Sequence, residues 1–167
     1  MIIKKLRFFI LFCLLITLAA CGFKPYGQEN LPPKLHTIYY QSENPNARLE
    51  VALKDTLQTM GATIVNTPQD APVTLRMLRT SFGHDNPNVT SSSQASIYNF
   101  TYSAYFDVID KKGNSILAPQ TVSSHRTLTL SPNNVIDTSN EVQNLQQDMQ
   151  RELIFKIISV LSIQCKS

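Results

Sequence analysis

Apolar side chains fall along this chain in several distinct patterns, and each predicts a different kind of element. Phe8 to Leu18 is an almost unbroken apolar run that follows the basic Lys4, Lys5 and Arg7. Leu35 to Gln41, with Ile38, Tyr39 and Tyr40, alternates weakly and predicts a short strand. Leu49, Ala52, Leu53, Leu57 and Met60 then recur at helical spacing, with Arg48, Lys54, Asp55 and Gln58 on the other side. Asn44 is placed to cap this helix with Pro45 at its first position, where a missing N–H costs nothing. Gly61 is placed to end it. Thr63 to Val65 adds a short strand, and Thr67 to Pro72 is a turn-rich link.

The next region alternates with a period of two. Val73, Leu75, Met77 and Arg79 interleave with Thr74, Arg76, Leu78 and Thr80, which predicts a second main strand. Phe82 to Ser96, with Gly83, Asn86, Pro87, Asn88 and three consecutive serines, reads as a surface loop. Ile97 to Ile109 gives the clearest strand. Tyr98, Phe100, Tyr102, Ala104, Phe106 and Val108 share one face, and Asn99, Thr101, Ser103, Tyr105 and Asp107 the other. So aromatic a face must cover a core or a partner. Asp110 to Asn114 predicts a hairpin with Gly113 at a positive φ. Ile116 to Leu117 and Thr121 to Leu130 return as an antiparallel mate, poor in long apolar side chains as an edge strand is.

The helical period resumes at the end. Thr138 and Glu141 have capping-box spacing. Val142, Leu145, Met149, Leu153, Ile157, Val160 and Leu161 form the stripe, which Ile154 and Ile158 widen. This predicts a helix of about 25 residues lying along the whole sheet.

The opening run carries chemistry rather than fold. It is shorter than the ~20 residues a membrane span needs, and its basic start and small-residue end are those of a signal sequence. It closes on Leu18, Ala19, Ala20, Cys21, which resembles the bacterial lipobox. There the cysteine sulfur takes a diacylglyceryl group, the leader is cut off before it, and the freed amine is acylated. At roughly 0.8 kcal/mol per buried methylene, one chain anchors marginally and several anchor durably. The expected organisation is a leader over residues 1–20, a lipidated tether over 21–33 and one domain over 34–167. Gly22 rather than Asp after the cysteine favours, by analogy with enterobacterial lipoproteins, passage to the outer membrane. The expected location is therefore the outer membrane, lipid-anchored and facing the periplasm.

Removal of the leader changes the charge. The formal +3 comes from 15 basic and 12 acidic residues, and Lys4, Lys5 and Arg7 leave with the leader. The mature chain is formally neutral, which argues against nucleic acid as a partner despite the sequence pI near 8.8. Of the three cysteines, Cys13 departs and Cys21 is lipidated, so Cys165 has no partner for a disulfide. His36, His84 and His125 are isolated, and the five glycines are scattered. No metal site, phosphate loop or nucleophile elbow is expected, no cofactor beyond the acyl chains on Cys21, and no enzymatic activity. Arg76, Arg79, Lys111, Lys112 and Arg126 lie on adjacent predicted strands or their turn. If they converge, they form a candidate anionic-headgroup site.

The order lipobox, tether, strand, helix, three strands, helix resembles the lipopolysaccharide-assembly lipoprotein family LptE, also called RlpB. So do Cys21, Gly22 and Phe23, the Asn44, Pro45 helix start with Leu49 and the Leu57 to Gly61 end, the Tyr98 to Phe106 strand, and Asn140, Glu141 early in the last helix. The resemblance implies an α/β (α+β) sandwich of two helices packed on one face of a four-stranded mixed or antiparallel sheet. It also implies a plug inside the β-barrel partner LptD that helps the barrel assemble and binds lipopolysaccharide. Departures from the family pattern are Tyr26 where an Arg is common, Thr138 where some members have Lys, and a Phe82 to Ser96 loop whose one titratable side chain that gains positive charge is His84. Arg79, Arg126, Lys111 and Lys112 are the lipopolysaccharide-binding candidates that remain. The rival reading is a lipid-anchored adaptor, such as a pilotin, or an auxiliary subunit of another envelope transport machine.

Overall fold

A computed structural model describes residues 31–85, 88–89, 96–130 and 135–165. The leader, lipobox and Cys21 lie outside the described residues. The strands are β1 (Thr37–Ser42), β2 (Thr63–Val65), β3 (Val73–His84), the two-residue β4 (Asn88–Val89), β5 (Ser96–Asp110) and β6 (Ser115–Leu130). The helices are α1 (Arg48–Thr59) and α2 (Val135–Gln164). All strands join one mixed sheet in the order β2-β1-β3-β5-β6, and β4 pairs with the amino end of β5. The β1 pairings with β2 and β3 are parallel, and the β3, β4 and β6 pairings with β5 are antiparallel.

The sandwich is the one expected, with a larger sheet than the four strands anticipated. The short β2 and β4 are the added strands, and two main strands are longer than expected. The loop placed at Phe82 is still strand as far as His84, because Phe82 and His84 remain paired with Tyr102 and Phe100 and set their rings edge-on against them. The return strand is one continuous β6 from Ser115, with irregularities opposite Phe106, Val108 and Ile109 that absorb Pro119 at the sheet edge. The tether also ends earlier than Pro33, since Leu31 is already buried in the core.

Core residues follow from the two periodicities. Phe100, Tyr102, Ala104, Phe106 and Val108 of β5 point inward and meet Val73, Leu75 and Met77 of β3 and Ile38 and Tyr40 of β1. Leu49, Leu53 and Leu57 of α1 and Met149, Leu153, Ile157 and Leu161 of α2 close over them. Each fully buried Val, Leu, Ile, Met or Phe among them contributes about 1.5–3 kcal/mol. The helices divide the sheet. The α2 helix lies over β6 and β5, whereas α1 lies over β1 and β3, where Lys54 sits above the Tyr40 ring and Glu50 reaches Thr80. The last helix therefore covers half the sheet, not its whole width.

Both helix starts differ from the expected ones. Asn44 to Ala47 closes as a turn through an Ala47 N–H donated to the Asn44 carbonyl, and α1 begins at Arg48 with no side-chain cap. Lys54 instead donates to the Pro45 carbonyl. The α2 helix begins at Val135, so Thr138 is inside it rather than its cap, and its 30 residues span about 45 Å. The terminators behave as expected, since Gly61 and Gly113 have φ of 94° and 84°.

Candidate functional site

With both helices on the inner face, the outer face of the sheet is left uncovered by any described residue. Its composition follows from strand parity. Register aligns Gly83, Thr101 and His125 in one row across β3, β5 and β6, Ser81, Ser103 and Ser123 in the next, and Arg79, Tyr105 and Thr121 in a third. Hydroxyls knit these rows together. Ser81 and Ser103 share a hydrogen bond of 2.8 Å, and His125 bridges Thr101 and Ser123 at 3.1 Å on each side. Farther along, Thr127 donates to Asn99 at 2.9 Å.

A bulge decides where Arg79 goes. Simple alternation from Val73 puts Arg79 inward with Leu75 and Met77, at a prohibitive desolvation cost. Leu78 is the extra residue between the Met77–Phe106 and Arg79–Tyr105 pairs, and it reverses the parity of everything after it. Arg79 thus emerges on the outer face and Thr80 turns inward.

The five basic residues considered together do not converge. Arg76 is on the outer face, but its guanidinium grips the buried Asp107 carboxylate in a bidentate pair, with Nε donating to Oδ1 at 2.8 Å. That bond raises the already high Arg76 pKa. Arg126 points to the opposite, helix-bearing face and bonds Glu152 of α2 at 2.5 Å. Lys111 and Lys112 lie in the β5–β6 turn, at the end of the sheet where Val73 pairs with Asp110. There the Asp110 carboxylate accepts from the Lys112 and Asn114 backbone N–H groups and the Asn114 side chain, and the bonds from Asn114 hold it below the usual carboxylate range. Arg79 alone of the five stays exposed on the outer face without a hydrogen-bond or ion-pair partner among the described residues.

Two constellations escaped the sequence reading. Glu152 joins Arg126, Ser124 and Lys156, and Lys156 also donates to the Ser123 carbonyl at 2.7 Å, which ties α2 to the outermost strand. The Lys156 hydrogen bond is the main reason the Glu152 carboxyl is held below its usual range. No sequence pattern joins residues so far apart. The second is Glu50, buried under α1, which accepts from Thr80 at 3.0 Å beside Tyr40 and Tyr102. Burial first, and then the nearby Glu50, pushes both phenols up. Burial likewise raises the Cys165 thiol.

Depressions among the described residues include two that are open to solvent. One beside the bulge, about 180 Å³, is lined by Gln41, Ser42, Glu43, Arg76, Met77 and Leu78. Another between the helices is lined by residues that include Arg48, Asp55, Gln143, Gln147 and Gln150. Among the described residues no three metal-ligating side chains come together, and no helix is long and apolar enough to cross a membrane.

Comparison with known proteins agrees with this architecture. The model of the lipopolysaccharide-assembly family LptE matches residues 35–161. The chain is 26% identical over 155 residues to the LPS-assembly lipoprotein LptE of Yersinia enterocolitica, covering 89% of this chain and 73% of that one. It is 26% identical over 148 residues to the LPS-assembly lipoprotein LptE of Pectobacterium atrosepticum, covering 85% and 79%. The solution structure of lipoprotein B from Nitrosomonas europaea shares the fold, with a TM-score of 0.70, 18% identity, and coverage of 84% of this chain and 90% of that one.

Proposed function

Because the chain belongs to the lipopolysaccharide-assembly family LptE, we propose that it is an outer-membrane lipoprotein, anchored through acyl chains on Cys21, that occupies the lumen of an LptD-like β-barrel. There it helps the barrel assemble and assists lipopolysaccharide insertion at the cell surface. The family match across residues 35–161 carries the reading. The physics is compatible with it. A barrel interior wide enough for a folded domain is polar, and the outer sheet face offers neutral hydroxyls with Arg79 as a cation that has no partner among the described residues. The work is contact and occupancy rather than bond-making. Arg79 is the leading lipopolysaccharide contact. Arg126 is already committed to Glu152, and Lys111 and Lys112 are available only at the turn.

The test is extraction of the full-length protein from native membranes in mild detergent, followed by mass spectrometry of the intact complex. The expected result is a one-to-one complex with a large outer-membrane barrel and a triacylated residue 21. Recovery with a secretin or an inner-membrane complex favours the adaptor reading, and a bare thiol at Cys21 contradicts the anchor.

A further inference from the structure

The exposed face of an antiparallel sheet is ordinarily polar, and on soluble proteins it is ordinarily charged with both signs. The outer face here departs from that. Its central rows are Ser81, Ser103, Ser123, Thr101, His125 and Thr121, a continuous field of donors and acceptors in which Ser81 bonds Ser103 and His125 bonds Thr101 and Ser123. Of the described carboxylates around these rows, Asp107 is 2% exposed and neutralised by Arg76, while the exposed Asp85 and Glu43 lie outside the rows, Asp85 past Gly83 at the end of β3 and Glu43 past the end of β1. Two side chains stand clear of the field, next to each other in register: Tyr105, 39% exposed, and the unpaired Arg79.

We infer that this face is a binding surface for an anionic saccharide: sugar hydroxyls bond the Ser and Thr rows, a sugar ring lies on Tyr105, and a phosphate or carboxylate on the sugar pairs with Arg79. The inference rests on the lipopolysaccharide-assembly reading and assigns the outer face to the sugar portion of that molecule, not to its acyl chains. The chemistry selects it. Neutral hydroxyls exchange hydrogen bonds with a polyol at little desolvation cost, whereas a field of fixed charges resists such exchange. An exposed aromatic ring gives sugar C–H groups an apolar platform. A cation without a protein partner is electrostatically complementary to one acidic substituent. Acyl chains find no apolar groove among these rows.

The experiment uses the full-length protein in detergent and two probes from one preparation of lipopolysaccharide split by mild acid: the lipid-free acidic oligosaccharide and the lipid A fraction. Binding is read by calorimetry, with intact lipopolysaccharide as the reference and thermal melting as the folding control. The expected result is binding of the oligosaccharide, weakened about tenfold by Arg79→Gln, the loss of one charge-assisted bond. Tyr105→Ala weakens it as well, and both variants melt like the parent. A photoreactive residue at position 103 is expected to cross-link sugar in cells.

Intact lipopolysaccharide and lipid A binding without the oligosaccharide overturns the assignment and leaves the assembly reading standing. Oligosaccharide binding unmoved by both variants also overturns it. A position-103 probe that captures the barrel and no sugar makes this face a protein interface instead. Failure of every probe together with failure to co-extract a barrel removes the assembly reading itself.

Discussion

On the inner side of β5, Phe100, Tyr102, Ala104, Phe106 and Val108 are buried and touch two helices. On the other side of the same strand, Thr101 and Ser103 bond His125 and Ser81 of the neighbouring strands, and Tyr105 is exposed. One strand therefore carries two chemistries set by parity alone. The inner face holds the domain together by displacing water. The outer face stays hydrated and contributes little to stability, which leaves its residues free to serve a contact. Asp107 is the exception, because it is an outer-face residue buried beneath Arg76.

Substitutions separate the two sides, and the largest effect is expected inside. Phe106→Ala empties the largest fully buried side chain and should lower stability by about 3–5 kcal/mol, read by urea denaturation. Loss comparable to that of an exposed residue contradicts the packing. Next comes Asp107→Ala, which strands the Arg76 guanidinium. Because Arg76 is 34% exposed, water offsets part of the loss, and about 2 kcal/mol is expected. The double variant Arg76→Met with Asp107→Ala should recover part of it.

Glu152→Gln should cost less, about 1 kcal/mol or below, because its partners are half exposed. Its signature is in the pH dependence. Glu152 and Asp110 are both held below the usual carboxylate range in the fold, so each stays charged at a pH where the unfolded chain has taken up a proton. Their stabilising share is present above the ordinary carboxylate values and is lost as the pH falls through the folded ones. Melting temperatures on the acid side should fall less steeply in Glu152→Gln than in the parent. The smallest effect is expected for Ser103→Ala, within about 0.5 kcal/mol.

Parity was readable in the chain, and with it both faces of β5, the Gly113 turn, the edge position of β6 and most of the α2 stripe. The outer hydroxyl rows were present too, at the odd positions Thr121, Ser123, His125 and Thr127, although the even Val122 and Leu128 made that stretch read only as an edge strand. What could not be read depends on register. The bulge at Leu78 is one inserted residue that leaves the local hydrophobic pattern intact, yet it decides which face Arg79 occupies. Likewise, Arg126 and Glu152 meet across 26 positions, and Arg76 and Asp107 across 31, so a cluster that adjacent strands suggested is split between two faces and a turn. The start of α1 lies elsewhere because Asn44 and Pro45 carry capping chemistry that the chain does not use there.

Two charge reversals, made side by side in the full-length protein, test the division of labour between the faces most directly. Arg79→Glu is expected to keep the parental melting temperature and lose lipopolysaccharide retention. Arg126→Glu is expected to melt earlier, because it repels Glu152, and to retain lipopolysaccharide in proportion to the folded fraction. Full retention by Arg79→Glu, or a loss in Arg126→Glu that exceeds its unfolding, would contradict the account.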